Sequence, residues 1–277
     1  MGSVSVVIVT HNSSVFMSRL IYSLECQTKM PDLVVIVDSG STSTEYLDRL
    51  RTSALTCSII LKSNIGFAAG SNEGWRISRD HDFVLFLNPD AFLTPDYLEQ
   101  SIQFMEDEAQ QNVGMLTGTL LGYNISQDCP TGFVDSTGIM QTWYGRSYDR
   151  DQGAPTSVLK KYGGKPNAVP AICGAAMLAR QAALSSVSVG GNIFQSDYFM
   201  YKEDIDLSWR VARAGWTLIH HPDLAVYHCR GWKSRTAMPK ALRLLSAKNE
   251  IKMFYKHRSP YIFFGLIKYC GVKLLNL

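Results

Sequence analysis

Apolar runs and polar breaks alternate along the first half of the chain with a regularity that predicts its elements. Val4-Ser5-Val6-Val7-Ile8-Val9-Thr10 is rich in β-branched residues and stops at His11-Asn12, as a strand leading into a turn does. Ser13 or Ser14 can then cap a helix running towards Thr28, with Phe16, Leu20 and Leu24 on its inner face. A second strand, Leu33 to Val37, closes at Asp38 and passes into the small polar run Ser39 to Ser43. A helix from about Thr44 to Leu50, a strand over Ser58 to Leu61, the segment Asn64 to Asn72 and a short helix after it complete the pattern. Strand alternating with helix predicts a parallel sheet covered by helices on both faces, a doubly wound α/β fold.

The next strand organises the rest. Phe83-Val84-Leu85-Phe86-Leu87 is apolar throughout, as a strand buried on both faces must be, and ends at Asn88-Pro89 with Asp90 immediately behind. Proline cannot donate to a sheet ladder, so the strand stops there. Two predicted parallel strands thus end in a carboxylate, Asp38 and Asp90, on the carboxyl rim where open α/β sheets hold ligands. Asp90 also fits an Asx-type turn that starts the helix after Thr94. Gly66-Phe67-Ala68-Ala69-Gly70 fits either a phosphate-cradling loop or tight packing at a helix start, and it matches neither the dinucleotide nor the P-loop pattern.

A helix from Pro95 to about Ala109 and a strand from Val113 to Leu121 come next. From Gly122 to Asn167 the periodicity fades into Gly, Pro and polar residues with Trp143, Tyr144, Tyr148 and Tyr162, an excursion whose aromatics serve a sugar or pack locally. Tyr198 to Arg210 then delivers Glu203, Asp204 and Asp206 to the first turn of a helix ending at Gly215, where acids complement the helix dipole or supply a general base. Short strands Thr217 to His220 and Ala225 to His228 follow, and His228, at a strand end, is the best ligand of their three histidines. A helix from Pro239 to Lys256 precedes the aromatic stretch Tyr261 to Leu275, which is too short and too charged to span a bilayer and fits an interfacial helix or a packed one.

Composition adds one asymmetry. From Arg230 onward eleven Lys or Arg face one acid, a net +10, so the first 229 residues carry −7 of the overall +3. A basic tail on an acidic body points to an anionic partner, nucleic acid or a membrane surface. The six cysteines are scattered without metal spacing and read as buried, reduced thiols in a reducing compartment. The N-terminal apolar run reads as a strand and not a signal peptide.

Taken in order, Ser5 to Asn12, Asp38, Asn64 to Asn72, Asn88-Pro89-Asp90-Ala91 and Tyr201 to Arg210 closely resemble glycosyltransferase family 2, with its GT-A fold, and within it the bacterial rhamnosyltransferase-like branch. The resemblance covers about residues 3 to 234. It implies that Asp38 reads a pyrimidine base with Thr10 and Asn12 beside it, and that Asn64, Gly66, Asn72 and Asn88 face the nucleotide and donor sugar. It further implies that Asp90 and His228 hold Mg2+ or Mn2+ at the diphosphate and that Asp204 is the general base. Asn88 replaces the first aspartate of the metal motif, a substitution common in that branch, and Ser39 stands where Asn is frequent.

The implied protein is an inverting glycosyltransferase moving a sugar from a dTDP- or UDP-sugar, with dTDP-rhamnose first, to a glycan or polyprenyl-diphosphate-linked oligosaccharide acceptor in surface-polysaccharide or O-antigen synthesis. It would sit in the cytoplasm on the inner face of the membrane, with a homo-oligomer possible and no nucleic-acid partner, since no such motif occurs. A catalytic domain over residues 1–235, divided near residue 121, precedes a basic helical tail over 236–277. The rival readings are a non-catalytic nucleotide-sugar-binding scaffold and a nucleotidyltransferase.

Overall fold

The computed structural model describes residues 1–230 and 238–275, so the domain boundary expected at residue 235 lies outside the described residues. Strands β1 (Val4–Thr10), β2 (Leu33–Ser39), β3 (Cys57–Lys62) and β4 (Phe83–Leu87) form where the apolar runs predict them. They are joined by α1 (Ser14–Glu25), a 3-10 segment (Glu45–Thr52) and α2 (Gly66–Ile77). β1 pairs in parallel with β2 and with β4, and β2 with β3. Alternate residues of β1 serve opposite cores: Val4, Val6 and Ile8 meet α1, while Val7 and Val9 meet α2. Burial on both faces is why the strand is apolar in every direction, each such side chain contributing about 2 kcal/mol.

The segment Asn64 to Asn72 departs from expectation, because α2 begins inside it at Gly66. Cβ atoms at Gly70 and Gly74 would lie 2.8 and 2.3 Å from Val9 and Val7 side-chain carbons, so these glycines let α2 lie directly on β1.

Beyond β4 the chain turns through Asn88-Pro89-Asp90 into a short strand, β5 (Ala91–Leu93), which the sequence did not announce. α3 (Tyr97–Glu106) leads to β6 (Val113–Asn124), whose C-terminal end folds back as β7 (Cys129–Ser136). The excursion is therefore ordered: after β7 come the hairpin strands β8 (Ile139–Gln141) and β9 (Ser147–Asp149), then β10 (Asn167–Ala168). β11 (Ala176–Arg180), α4 (Gln181–Ser186), α5 (Glu203–Arg213) and β12 (Thr217–His228) complete the body. The two short strands expected around His220 and His228 are this single strand. Pro222, which has no N–H to donate, lies between His221 and Ala225, where the register against β6 shifts.

The main sheet has ten strands in the order β10-β12-β6-β11-β4-β1-β2-β3, with β5 on β12 and β7 on β6. β1, β2, β3, β4, β6 and β12 run one way; the others run against them. The sheet is mixed with mostly parallel strands and helices on both faces, as expected. His220 is buried among Thr119, Asn167 and Arg150 and ties the excursion to β12. Burial, then the Arg150 charge, pulls its pKa down to about 3, so it stays neutral and structural.

The described tail holds two unlike α-helices and a closing π-helical turn (Gly271–Leu275). α6 (Lys240–Lys256) packs Ala247, Met253 and Phe254 into the core despite its basic composition, whereas α7 (Ile262–Cys270) buries Gly265 alone. Among the described residues no helix is long and apolar enough to cross a membrane. The cysteines are free thiols as expected, but Cys229 is the buried one, and Cys26 and Cys270 are exposed.

Candidate active site

The carboxyl ends of β1, β2, β4 and β12 share one rim, and most of the expected residues assemble there. β11 runs opposite to β4 with Ala176 facing Leu87, so the start of β11 also lies on that rim. Asn88 N–H donates to the Ala175 carbonyl (2.9 Å), and the Asn88 carbonyl accepts from Ala91 N–H (3.1 Å), closing the turn that presents Asp90.

At one end stands Asp38, at 2 % exposure. Its Oδ1 accepts from Ser41 N–H (2.9 Å) and its Oδ2 from the Tyr46 hydroxyl (2.8 Å). Thr10 Oγ1 lies 3.1 Å from the same hydroxyl, and Asn12 Oδ1 accepts from Thr42 N–H (2.8 Å). Ser39 Oγ accepts from Ile65 and Gly66 N–H, both at 3.0 Å, and lies 3.5 Å from Asn64 Oδ1. Ser39 thereby holds the start of α2 to the rim.

Asn72 lies elsewhere. It is buried one turn and a half into α2, with Oδ1 accepting from Ile193 and Phe194 N–H (3.0 and 2.9 Å) and Nδ2 donating to the Phe194 carbonyl (2.8 Å). Its amide is committed to anchoring the 193–194 loop, so it does not join the other rim residues.

At the other end the β5–β12 ladder sets Ala91 opposite His228, which brings Asp90 Oδ1 to 3.5 Å from His228 Nε2. His228 Nδ1 lies 2.7 Å from Asp135 Oδ2 on β7. Arg230 Nη2 joins Asp135 Oδ2 (3.1 Å) to Asp149 Oδ2 on β9 (3.0 Å). Burial alone would lower the His228 pKa, but Asp135 and Asp90 overrule it and push the ring up to about 9. Asp135 is the mirror case: burial pushes it up, yet His228 and Arg230 hold it below the ordinary carboxylate range.

Among the described residues no three His, Cys, Asp or Glu side chains converge as a closed metal cage. A two-donor set of one carboxylate and one imidazole fits a hard cation that takes its remaining oxygens from a diphosphate and water. The 3.5 Å between the two donor atoms is near the roughly 3 Å separating adjacent ligands of an octahedral cation with bonds of about 2.1 Å. The residues present therefore fit Mg2+ or Mn2+, with His228 giving up its Nε2 proton as the cation arrives.

Between these ends α5 presents Glu203 and Asp204. Asp204 Oδ2 accepts from Gly174 N–H (3.0 Å) and Oδ1 from Ile205 N–H (2.8 Å), which aims the carboxylate at the start of β11. Burial raises its pKa against the opposing Lys202 charge and those N–H groups. Asp206, two residues on, is structural, bound by Arg210 (2.9 Å), His257 (2.9 Å) and Tyr198 (3.2 Å). Glu203 is buried, its Oε2 has no hydrogen-bond partner among the described residues, and burial with the neighbouring Asp204 pushes it up to about 8.

The approach to α5 is strained: Phe199, Tyr201 and Lys202 all have positive φ, at 62°, 70° and 75°. Two contacts hold it. Gly66, itself at φ +79°, leaves room for Phe199, whose ring carbon would lie 2.5 Å from a Cβ there. Asn249 of α6 donates to the carbonyls of Tyr198, Met200 and Tyr201 at 2.8, 2.9 and 3.0 Å. Sequence reasoning passed over Tyr46, Asp135, Arg230 and Asn249. Asp135 sits in the stretch without periodicity, and nothing local to Asn249 points to a loop nearly fifty residues away.

The chain has counterparts among known proteins. The profile of glycosyl transferase family 2 matches residues 5–124, and that of glycosyl transferase family group 2 matches residues 83–258. The chain belongs to the family 2 glycosyltransferases. It is 25% identical over 280 residues to an N-acetylglucosaminyl-diphospho-decaprenol L-rhamnosyltransferase of Mycobacterium tuberculosis (strain CDC 1551 / Oshkosh), covering 93% of this chain and 82% of that one. The uncharacterized glycosyltransferase YwdF of Bacillus subtilis (strain 168) is 29% identical over 103 residues, 37% of this chain and 38% of that protein.

Among solved structures, GalNAc-T7 with UDP, GalNAc and Mn2+ aligns with a TM-score of 0.67 at 15% identity over 92% of this chain, which spans 48% of GalNAc-T7. The Pyrobaculum calidifontis mannosyltransferase PcManGT with GDP-Man and Mn2+ aligns at 0.61 with 19% identity, over 99% of this chain and 71% of that one. These likenesses establish the GT-A fold that the ordered motifs imply.

Proposed function

We propose that this family 2 glycosyltransferase moves rhamnose, with inversion, from dTDP-rhamnose to a polyprenyl-diphosphate-linked glycan on the inner face of a bacterial cytoplasmic membrane, in surface-polysaccharide synthesis. The carrying observation is the placement of Asp90, His228 and the Gly174-bound carboxylate of Asp204 on one rim, with Asp38 at its far end. The relative named for rhamnosyl transfer to a diphospho-decaprenol substrate supports both the donor and the acceptor class. In this reading Asp38, Thr10 and Asn12 read the pyrimidine base, and Asn64, Gly66 and Asn88 face the nucleotide and donor sugar.

Asp90 and His228 would hold Mg2+ or Mn2+, whose charge offsets that of the departing nucleoside diphosphate. Asp204 takes the proton of an acceptor hydroxyl as its oxygen attacks the anomeric carbon from the face opposite the diphosphate, so one displacement inverts the centre. Burial, by raising the Asp204 pKa, makes it the stronger base.

Two measurements test this reading. Calorimetric titration with dTDP, UDP and GDP, each with Mn2+ and with EDTA, should show metal-dependent binding of dTDP or UDP and none of GDP. Asp204→Asn should lower transfer by about 10²- to 10⁴-fold while leaving nucleotide affinity unchanged. Near-wild-type transfer by that variant removes the base assignment, and release of pyrophosphate instead of nucleoside diphosphate moves the chain to nucleotidyl transfer.

A further inference from the structure

The outer face of α7 and the tip of the β8–β9 hairpin form one continuous aromatic patch. Trp143 is 80% exposed, Phe263 71%, Ile267 69% and Leu274 75%. Phe263, Leu266 and Ile267 recur at helical spacing on the exposed side of α7, and exposed Leu274 follows in the π-helical turn Gly271–Leu275. The hairpin tip lies against that helix: the rings of Trp143 and Tyr144 are each 6.1 Å from Phe264. A Cβ on Gly145 would lie 2.5 Å from Tyr261 Cβ, so the close approach needs glycine there. Between the two segments lies a cavity of about 770 Å³, lined by Tyr144, Arg146, Phe254, Phe264, Val272 and Leu274 among others.

We infer that this face docks on an anionic lipid bilayer. An exposed apolar patch on this scale marks an interaction site, and its chemistry selects the partner. Trp and Tyr settle at a membrane–water boundary, where an apolar ring body and a polar edge are both accommodated, and Phe and Ile supply the apolar face that inserts beneath them. Arg146 and Lys273, both exposed, flank the patch, and the acid lining the cavity, Glu250, is paired with Lys268 and Lys202. Arg230, Lys252, Lys256 and Lys268 of the basic tail are paired within the protein, so exposed Arg146 and Lys273 are the cations by which this face draws anionic headgroups.

α7 has nine residues, about 14 Å at 1.5 Å per residue, so it lies in the interface plane. α6 packs closely against it, since a Cβ on Gly265 would lie 3.2 Å from the Phe254 ring, and Asn249 fastens α6 to the approach to Asp204. The same hairpin that carries Trp143 at its tip carries Asp149 at its base, paired with Arg230 beside His228. The three residues of β9 at about 3.3 Å each, with the turn that carries Trp143 beyond them, put the bilayer surface more than about 10 Å from the rim. That is a reach suited to a glycan whose lipid diphosphate stays in the membrane. The purpose rests on the lipid-linked acceptor proposed above; the docking itself does not.

The experiment is co-sedimentation of the full chain, without nucleotide or acceptor, with phosphatidylcholine vesicles that contain or lack phosphatidylglycerol. The wild type should bind the anionic vesicles, and bind them less as salt rises. Phe263→Glu/Ile267→Glu and, separately, Trp143→Ala should each lower the bound fraction at least about tenfold, because each removes apolar surface worth about 2 kcal/mol or more. These side chains are in water, so the thermal midpoint and Mn2+-dependent nucleotide binding should not move. Absence of vesicle binding by the wild type, or equal binding by the variants, overturns the proposal. So does a dimer in sedimentation equilibrium that Phe263→Glu/Ile267→Glu dissociates while vesicle binding is absent, which assigns the face to a second copy. If docking holds but no sugar nucleotide supports transfer, the proposed function fails alone.

Discussion

The two ends of the rim hold their carboxylates by opposite means. At the Asp38 end, neutral donors from nearby in the chain, Ser41 and Tyr46, satisfy both oxygens. At the His228 end, Asp90, Asp135, Asp149 and the neighbouring His228 and Arg230 arrive from four separate segments and balance one another as charges. Neutral hydrogen bonds make a site whose shape is set locally and is insensitive to salt. Buried alternating charges make a site in which each member depends on the others, because removing one leaves its partner charged and unpaired. Asp204 and Glu203 sit between the two regimes, the former held by backbone N–H groups and the latter with one oxygen unmatched among the described residues.

The contrast can be broken most sharply at Asp135. Its carboxylate holds His228 so that Nε2 faces Asp90, so Asp135→Asn should weaken Mn2+ binding in the presence of nucleoside diphosphate by about 10- to 100-fold. Calorimetry with Mn2+ reads this directly, with the thermal midpoint in EDTA as a control for folding. Unchanged affinity would mean that His228 is not a metal ligand.

Glu203 yields a smaller effect with a definite sign. Its folded pKa is raised from 4.5 to about 8, so the folded protein binds the extra proton and stability falls as pH rises through that window. Glu203→Gln removes that loss, and the variant's advantage in urea melts should grow from about pH 4.5 to about pH 8 and then level off. A constant difference across that range would place Glu203 in contact with water or a cation.

Tyr46→Phe should be mildest, lowering unfolding free energy by about 1 kcal/mol by removing one donor from buried Asp38. It should leave Mn2+ affinity unchanged. A loss as large as that of Asp135→Asn would show that the two ends are coupled and not separate.

How much of this was legible follows from distance along the chain. β1, β2 and β4 were readable because a strand buried on both faces is apolar at every position, and Asp38 and Asp90 because each ends or follows its own strand. β5 was not, since three residues after a turn carry no periodicity, and neither was Asp135, whose partner is 93 positions away. α6 and α7 are both basic and aromatic, yet one is core and the other surface. Asn249, Met253 and Phe254 meet the approach to α5 and the second core, and nothing in their own segment reports that contact.

The order of strands and helices, the carboxylates at strand ends and the charge divide between body and tail belong to the sequence by itself, because each depends on neighbours within a few bonds. Tertiary structure decided which acids meet a histidine or an arginine, which helix is covered and where the aromatic hairpin lands. Those outcomes depend on through-space neighbours in a desolvated interior, where a side chain's charge state and exposure are set by groups that the chain brings in from far away.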